Sequence, residues 1–333
     1  MNQSPLVSII LPAKNEAENL PAVLSKLKTL FPSAEIIVVD DGSTDDTGEI
    51  CALHAVKVAR HPYSMGNGAA VKSGARAARG DILVFMDADG QHDPADIPRL
   101  LEKLNEGYDM VVGARSFGSQ ANVHRALANA AYNRIASLMT GYDIEDLTSG
   151  FRAARARKFR QFLYLLPNGF SYPTTSTMAF FRSGYSVAYV PINAKQRGGT
   201  GRSSIGLLKD GLRFFVIILK IGALFSPMRL FLPVSGFFFL LGLSYYSYTY
   251  FTAGRLTNMT AILMIAAMLT FLIGIVSEQV SALHYKDADR DREPLPGDHT
   301  VRADTTDSAE IGTRAASGGT NARSWRHQAP SKS

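Results

Sequence analysis

The sequence predicts an α/β domain, a mostly parallel sheet flanked by helices, followed by a two-helix transmembrane hairpin. Three observations carry this. Short apolar runs alternate with segments of helical length through the front half. Those runs are nearly continuous rather than alternating, as strands covered on both faces are. Two long uncharged stretches then follow one another after Arg229.

Taken in order, LVSIIL (6–11), EIIVV (35–39), ILVF (82–85) and MVVG (110–113) read as strands. Between and after them, ENLPAVLSKLKTL (18–30), DDTGEICALHA (45–55), GNGAAVKSGARAA (66–78) and PADIPRLLEKLNEG (94–107) read as helices. The first three strands each end in polar chemistry: PAKNE, DDGSTDD and MDADGQHD. Ligands of parallel sheets sit at the carboxyl ends of strands, so three such ends on one edge predict a site.

The 25 residues between Arg229 and Arg255, and the 22 between Arg255 and Glu278, carry no charge. Each is long enough to cross about 30 Å of hydrocarbon as a helix. Two buried core helices are the alternative, but the polar chain after residue 284 offers nothing to cover them. Lys209, Arg213, Lys220 and Arg229 precede the first span and Lys286, Arg290 and Arg292 follow the second, whereas the connection AGRLTN carries only Arg255. Positive charge therefore predicts a multi-pass protein of the inner membrane with the soluble domain and both termini cytoplasmic. The single Cys51 agrees with a reducing compartment. The N-terminus lacks the basic flank and apolar length of a signal peptide, which leaves targeting to the hairpin. The formal charge is +6, and the tail from 284 mixes both signs with few apolar residues, as disordered segments do. These readings divide the chain into 1–204, a soluble domain; 205–227, an interfacial amphipathic helix; 228–254 and 258–283, the two spans; and 284–333, a disordered tail. In the interfacial segment, Lys209, Arg213 and Lys220 fall within about 40° of one another on a helix, opposite a mostly apolar surface.

The run FMDADGQHDP places Asp87, Asp89 and Asp93 at a strand end. Crowded carboxylates raise one another's pKa unless a cation compensates. Asp87, Asp89 and the amide oxygen of Gln91 are hard ligands suited to Mg²⁺ or Mn²⁺, too few for a closed cage, so water or substrate phosphates would complete the shell. A calcium EF loop is excluded because its sixth and twelfth places hold His92 and Pro98. An aspartyl-nucleophile phosphatase is disfavoured by Gln91 where Thr or Val is usual. DDGSTDD reads partly as an Asx-turn and helix cap through Ser43 or Asp45, which leaves Asp40 and Asp41 to accept hydrogen bonds from a base. GNGAAVKSG lacks the Walker spacing, and no GxGxxG follows the first strand, so a dinucleotide dehydrogenase is disfavoured.

PAKNE, VVDDGSTDDT, GNGAAVKSGARAARGDILVFMDADGQHDP, VVGAR, DLTSGFR and VPI followed by QRGGTGRSSI, in this order over about residues 6 to 205, resemble the family 2 glycosyltransferases. Specifically, they resemble the polyprenyl-phosphate branch, similar to dolichol-phosphate mannose synthases. The resemblance implies a glycosyltransferase-A fold, a UDP- or GDP-linked sugar donor, a polyprenyl phosphate acceptor in the membrane and no nucleic-acid partner. Homo-oligomerisation through the transmembrane helices is a further expectation. By the same resemblance, Pro12, Glu16, Asp40 and Asp41 line the nucleotide pocket, and Asp87, Asp89 and Gln91 hold the metal and the diphosphate. Arg115, Arg125 and Arg197 meet the acceptor phosphate and leaving diphosphate, with Arg202 and Ser203 secondary. Where some relatives carry Ser after the equivalent of Arg125, and an acidic residue in the segment GFSYPTTSTM, this chain has Asn129 and neutral residues. Asp146 is then the remaining acidic candidate for the catalytic set. Two rival readings are weaker: a processive polysaccharide synthase, which by family habit needs QxxRW where this chain has only Trp325 in its tail, and a noncatalytic membrane-anchored nucleotide-sugar sensor, which would have lost metal ligands or acceptor arginines.

Overall fold

The computed structural model describes residues 6–115, 123–169, 171–193 and 223–290. The elements in chain order are β1 (Val7–Ala13), α1 (Leu20–Leu30), β2 (Glu35–Asp40), α2 (Thr47–Leu53), β3 (Lys57–Arg60), α3 (Asn67–Ala77), β4 (Ile82–Phe85), a 3-10 turn (Pro94–Asp96) and α4 (Ile97–Asn105). There follow β5 (Met110–Arg115), α5 (Val123–Thr140), β6 (Arg152–Arg155), α6 (Ala156–Arg160), α7 (Tyr172–Arg182), β7 (Val187–Ile192), α8 (Pro227–Ala253) and α9 (Asn258–Arg290). The strands form one seven-stranded sheet in the order β3-β2-β1-β4-β6-β5-β7.

The sheet is parallel except at β6, which runs antiparallel to both β4 and β5. Successive strand residues point to opposite faces, and both faces are covered. Ile10, Ile37, Val39, Leu83 and Phe85 join α3, α6 and α7 in one core, while Ile9, Leu11, Val38 and Val84 join α1 and α4 in the other. Helix α3 lies so close to the sheet that a Cβ at Gly74 would overlap the Ile10 side chain and stand 3.1 Å from Val39 Cγ2. Close packing there fixes the helix against the strands that carry the site.

Beyond the sheet, α8 and α9 pack as an antiparallel hairpin. Gly242 sits against Leu263 and Met264, and Gly274 against Phe231; small residues let apolar helices approach closely. Ser235 Oγ donates to the Ala267 carbonyl at 2.9 Å across the pair. The stretches Pro227–Ala253 and Asn258–Leu283 are long and apolar enough to cross a membrane, and few of their residues are buried. Outward-facing apolar surface of that extent is not what a soluble core helix presents. Helix α9 continues past the expected end of the second span, to Arg290. The expected interfacial segment lies, up to residue 222, outside the described residues, as does the tail from 291.

Candidate active site

The carboxyl ends of β1, β2 and β4 lie at one edge of the sheet, and hydrogen bonds stitch the loops after β1 and β2 together. Asp41 N–H donates to the Ala13 carbonyl at 2.9 Å, Asn15 N–H to Ser43 Oγ at 3.0 Å and Thr44 N–H to Asn15 Oδ1 at 2.9 Å. Pro12 is buried in the last turn of pleat of β1, level with Val39. Glu16, also buried, accepts from Asn19 Nδ2 at 2.8 Å and donates its own N–H to Thr47 Oγ1 at 3.0 Å. The expected helix cap is realised differently: Asp46 is the N-cap of α2 and makes no side-chain cap bond, while Asp45 accepts from the Thr47 N–H at 3.1 Å.

Asp40 and Asp41 have different environments. Asp41 accepts from His61 Nδ1 (2.7 Å) and Met65 N–H (2.8 Å) on one oxygen, and from Ser64 Oγ (2.8 Å) and Gly66 N–H (2.9 Å) on the other. Burial pushes its carboxyl up, but those four donors more than offset this and hold it below the usual range. It therefore fixes the loop between β3 and α3. Asp40 is fully buried; its Oδ1 accepts from Ser43 N–H at 2.8 Å, while Oδ2 has no hydrogen bond and faces Arg60 Nε at 3.3 Å outside hydrogen-bond geometry. A buried acceptor of this kind suits an N–H from a ligand's base.

At the start of α3, Gly68 N–H donates to the Gly169 carbonyl at 3.2 Å and Ala69 N–H to the Asn168 carbonyl at 3.1 Å. Lys72 reaches the Leu166 carbonyl (3.0 Å) and Asn168 Oδ1 (2.5 Å). The Gly-rich turn thus clamps the chain at 166–169 and leaves no open phosphate loop there.

Asp87 stands just past β4 at the same edge, with its side chain 34% exposed. Burial raises its carboxyl above the usual range; a hydrogen bond from Asn67 and the charges of Arg115 and Arg152 pull it down, and the Glu16 carboxylate pushes it further up. A carboxylate held in that state is stabilised by a nearby cation. Asp89 follows in a loop in which Gln91 N–H donates to Asp89 Oδ1 at 3.1 Å. Among the described residues no group of three or more His, Cys, Asp or Glu has metal-binding spacing. Two carboxylates and an amide are nevertheless the protein share that a Mg²⁺ or Mn²⁺ site completed by phosphate oxygens and water uses, so the residues fit such an ion. Asp93, the third acid of the run, instead accepts from Lys26 Nζ at 2.5 Å and Ala95 N–H at 2.9 Å.

Arg115 ends β5 and forms a two-pronged pair with Asp146: Nε to Oδ2 at 2.8 Å and Nη2 to Oδ1 at 3.0 Å, with Nη2 also donating to Thr148 Oγ1 at 2.5 Å. Asp146 further accepts from the N–H groups of Thr148 and Ser149, each at 3.0 Å. Burial pushes the Asp146 carboxyl up, but Arg115 and the backbone donors leave it below the usual range. Arg125 lies on α5, near its first turn. Arg197, Arg202 and Ser203 lie outside the described residues.

Four groups escaped the sequence reading. Arg152 is fully buried, donating from Nη1 to the Pro173 carbonyl (2.9 Å), Ser176 Oγ (2.6 Å) and Thr177 Oγ1 (3.2 Å), and from Nη2 to the Ser149 carbonyl. The neutral segment YPTTSTM is thus the buried side of α7 that accepts a guanidinium. Tyr172 donates to the Gly150 carbonyl at 3.2 Å, and a Cβ at Gly150 would lie 3.0 Å from Asp87 Oδ2, so DLTSGFR forms the wall beside Asp87. His92 is buried, stacked on Phe151 with ring centroids 5.1 Å apart, and burial lowers its pKa to about 4. His61 bridges Asp41 and Ser73. Only the letters of DLTSGFR signalled any of these in advance; a guanidinium buried among hydroxyls has no sequence signature.

Residues 8–163 match the family model "Glycosyl transferase family 2", and residues 226–283 match "GtrB C-terminal hairpin". The chain is 33% identical over 221 residues to an undecaprenyl-phosphate mannosyltransferase of Micrococcus luteus, covering 62% of this chain and 90% of that protein. It is 32% identical over 204 residues to a polyprenol monophosphomannose synthase of Mycolicibacterium smegmatis, covering 57% of this chain and 77% of that protein. Among solved structures, glucosyl-3-phosphoglycerate synthase from Mycobacterium tuberculosis, in complex with Mn²⁺, UDP-glucose and phosphoglyceric acid, aligns with a TM-score of 0.53 at 21% identity over 66% of this chain and 80% of that one. That likeness is one of fold.

Proposed function

The chain belongs to glycosyl transferase family 2, in its polyprenyl-phosphate branch, and on that footing we propose that it moves one sugar from a nucleotide-diphosphate donor to a polyprenyl phosphate at the cytoplasmic membrane face. The observation that carries this reading is one sheet edge that carries a buried acceptor at Asp40, an acid pair at Asp87 and Asp89 and a fixed guanidinium at Arg115, in a chain that also holds a hairpin of membrane length. The names of the two relatives, both acting on polyprenyl carriers, support the acceptor class, and a neighbour of the same fold crystallised with Mn²⁺ and UDP-glucose supports the donor class.

In this reading Asp40 accepts from the base, with Pro12 and Glu16 beside it, and Asp41 holds the loop that closes that pocket. Asp87, Asp89 and Gln91 would hold a divalent ion, which when bound offsets charge on the diphosphate. The acceptor phosphate has a second pKa of about 6 and is already anionic at neutral pH. It therefore needs orientation more than deprotonation, which bidentate arginines supply. Arg125 and Arg197 take that role, and Arg115, braced by Asp146, faces the diphosphate. A phosphate oxygen attacks the anomeric carbon, the bond to the diphosphate breaks, and the nucleoside diphosphate leaves with the electron pair, inverting that carbon. Asp146, paired and held ionised, is a brace rather than a base.

The test is to incubate membranes containing the protein with labelled nucleotide sugars and polyprenyl phosphate. Label should enter the lipid fraction from one UDP- or GDP-sugar. Binding of a nucleotide sugar without any transfer to lipid would favour a sensor, and label in a polymer would favour a synthase.

A further inference from the structure

Glu278 is the one charged residue between Arg255 and His284, and it falls inside the apolar stretch Asn258–Leu283. An ionisable side chain within a membrane helix is costly and is retained where it has a partner and a task. Its partner belongs to the catalytic unit: Arg182, in the last turn of α7, donates from Nη2 to Glu278 Oε1 at 2.5 Å. The other oxygen accepts from the Met228 N–H at 3.3 Å, in the first turn of α8, so a single carboxylate ties α7, α8 and α9 together. A second tie lies alongside, where Arg229 donates to the Leu138 carbonyl near the end of α5 at 2.7 Å. Between them is a cavity of about 100 Å³ lined by Thr140, Met178, Phe181 and Phe225 as well as the two arginines, so dense apolar packing does not make these polar ties redundant.

The opposite end of α7 reaches the site. Tyr172 packs beside Gly150 and Asp87, and Pro173, Ser176 and Thr177 hold Arg152. A helix transmits displacement along its axis as a rigid rod, here 11 residues long. We propose that the Arg182–Glu278 pair is a positioning element that sets the height and tilt of the active site over the bilayer, so that an acceptor phosphate held at the membrane surface meets the donor. Neither residue touches reactants. The inference rests on the reading of the protein as a polyprenyl-phosphate transferase, and it concerns the membrane-held acceptor alone.

The experiment compares two acceptors with the full-length protein in vesicles: undecaprenyl phosphate in the bilayer and farnesyl phosphate supplied from solution. For Glu278→Gln and Arg182→Gln, kcat/KM with undecaprenyl phosphate should fall on the order of tenfold, the scale for losing one partner of a partly desolvated charge pair. With farnesyl phosphate, and in thermal stabilisation by the nucleotide sugar, the same variants should stay within about twofold of the parent. The reversed pair, Arg182→Glu with Glu278→Arg, should recover much of the loss, short of the parent because it cannot accept from the Met228 N–H. Equal losses on both acceptors, or no loss on either, would overturn the proposal, as would failure of the reversed pair to recover. A parent protein inactive on both acceptors would instead overturn the functional reading beneath it.

Discussion

Replacing Asp146 with Asn is the sharpest test of how this site is built. The substitution keeps the shape of the side chain but removes the charge that pairs with Arg115, and it turns an amide N–H₂ toward a set of donors. Removing one partner of a buried ion pair costs about 3 to 5 kcal/mol. The Arg115 side chain is 26% exposed, against 6% for Asp146, so water screens part of the loss and the low end, about 3 kcal/mol, applies. At about 2 to 4 °C per kcal/mol for a domain of this size, the melting temperature should fall by about 6 to 12 °C. With its brace gone, Arg115 should point less reliably at the diphosphate, lowering kcat/KM about ten- to a hundredfold. The assay pairs thermal unfolding with sugar transfer across pH. Because the folded Asp146 carboxyl lies below its unfolded value of about 3.9, its stabilisation is present above that pH and is lost as pH falls through the folded value. The gap in melting temperature between parent and Asp146→Asn should therefore narrow below about pH 4. Abolished transfer with an unchanged melting temperature would refute the reasoning, because Asp146 would then be acting on the reactants as a base.

Other outcomes are expected. EDTA should abolish transfer and Mg²⁺ or Mn²⁺ should restore it, and Asp89→Ala should unfold like the parent yet transfer little; full activity in EDTA would remove the metal assignment. Arg125→Ala and Arg197→Ala should cut transfer tens to thousands fold while nucleotide-induced thermal stabilisation changes much less, on the basis of about 2 to 5 kcal/mol per lost charged contact; loss of nucleotide binding would move that arginine to the donor. A cysteine placed at Asn258 should react with impermeant maleimide only from the far side of the membrane. The background should be clean because Cys51 is fully buried and its thiol is pushed up to about 11 by burial and by Asp40.

Strands β1, β2, β4 and β5 were legible because they are unbroken apolar runs, and the loops after β1, β2 and β4 because they are dense in polar residues. Strands β3, β6 and β7 were not. Lys57–Arg60 is an exposed edge, and Arg152–Arg155 reads Arg-Ala-Ala-Arg, with neither β-branched nor aromatic residues, so each forms strand through its neighbours rather than its own preference. The acids at the strand ends could be read as a site, but their division of labour could not. Asp40 and Asp41 are adjacent in sequence, yet one keeps a buried oxygen without a hydrogen bond and the other has both taken by the β3–α3 loop, a difference set by residues twenty and more positions away. Arg152 was invisible for the same reason: its partners lie on α7.

The insertion of β6 between β4 and β5 has a consequence for how the chain is made. Strands β1 to β4 can assemble side by side as soon as they leave the ribosome, since every pairing among them is with a strand already synthesised. Strand β5 has no such neighbour. Its partners are β6 and β7, and β4 pairs with β6 across about seventy intervening residues. Until Arg152–Arg155 emerges, the nascent protein carries an open edge at Ile82–Phe85 and an apolar Met110–Arg115 with nowhere to dock, a combination that invites pairing with other chains. Fragments ending between residues 115 and 150 should accordingly aggregate where those ending before β5 stay dispersed, and the late arrival of the apolar hairpin places membrane insertion after that vulnerable interval has closed.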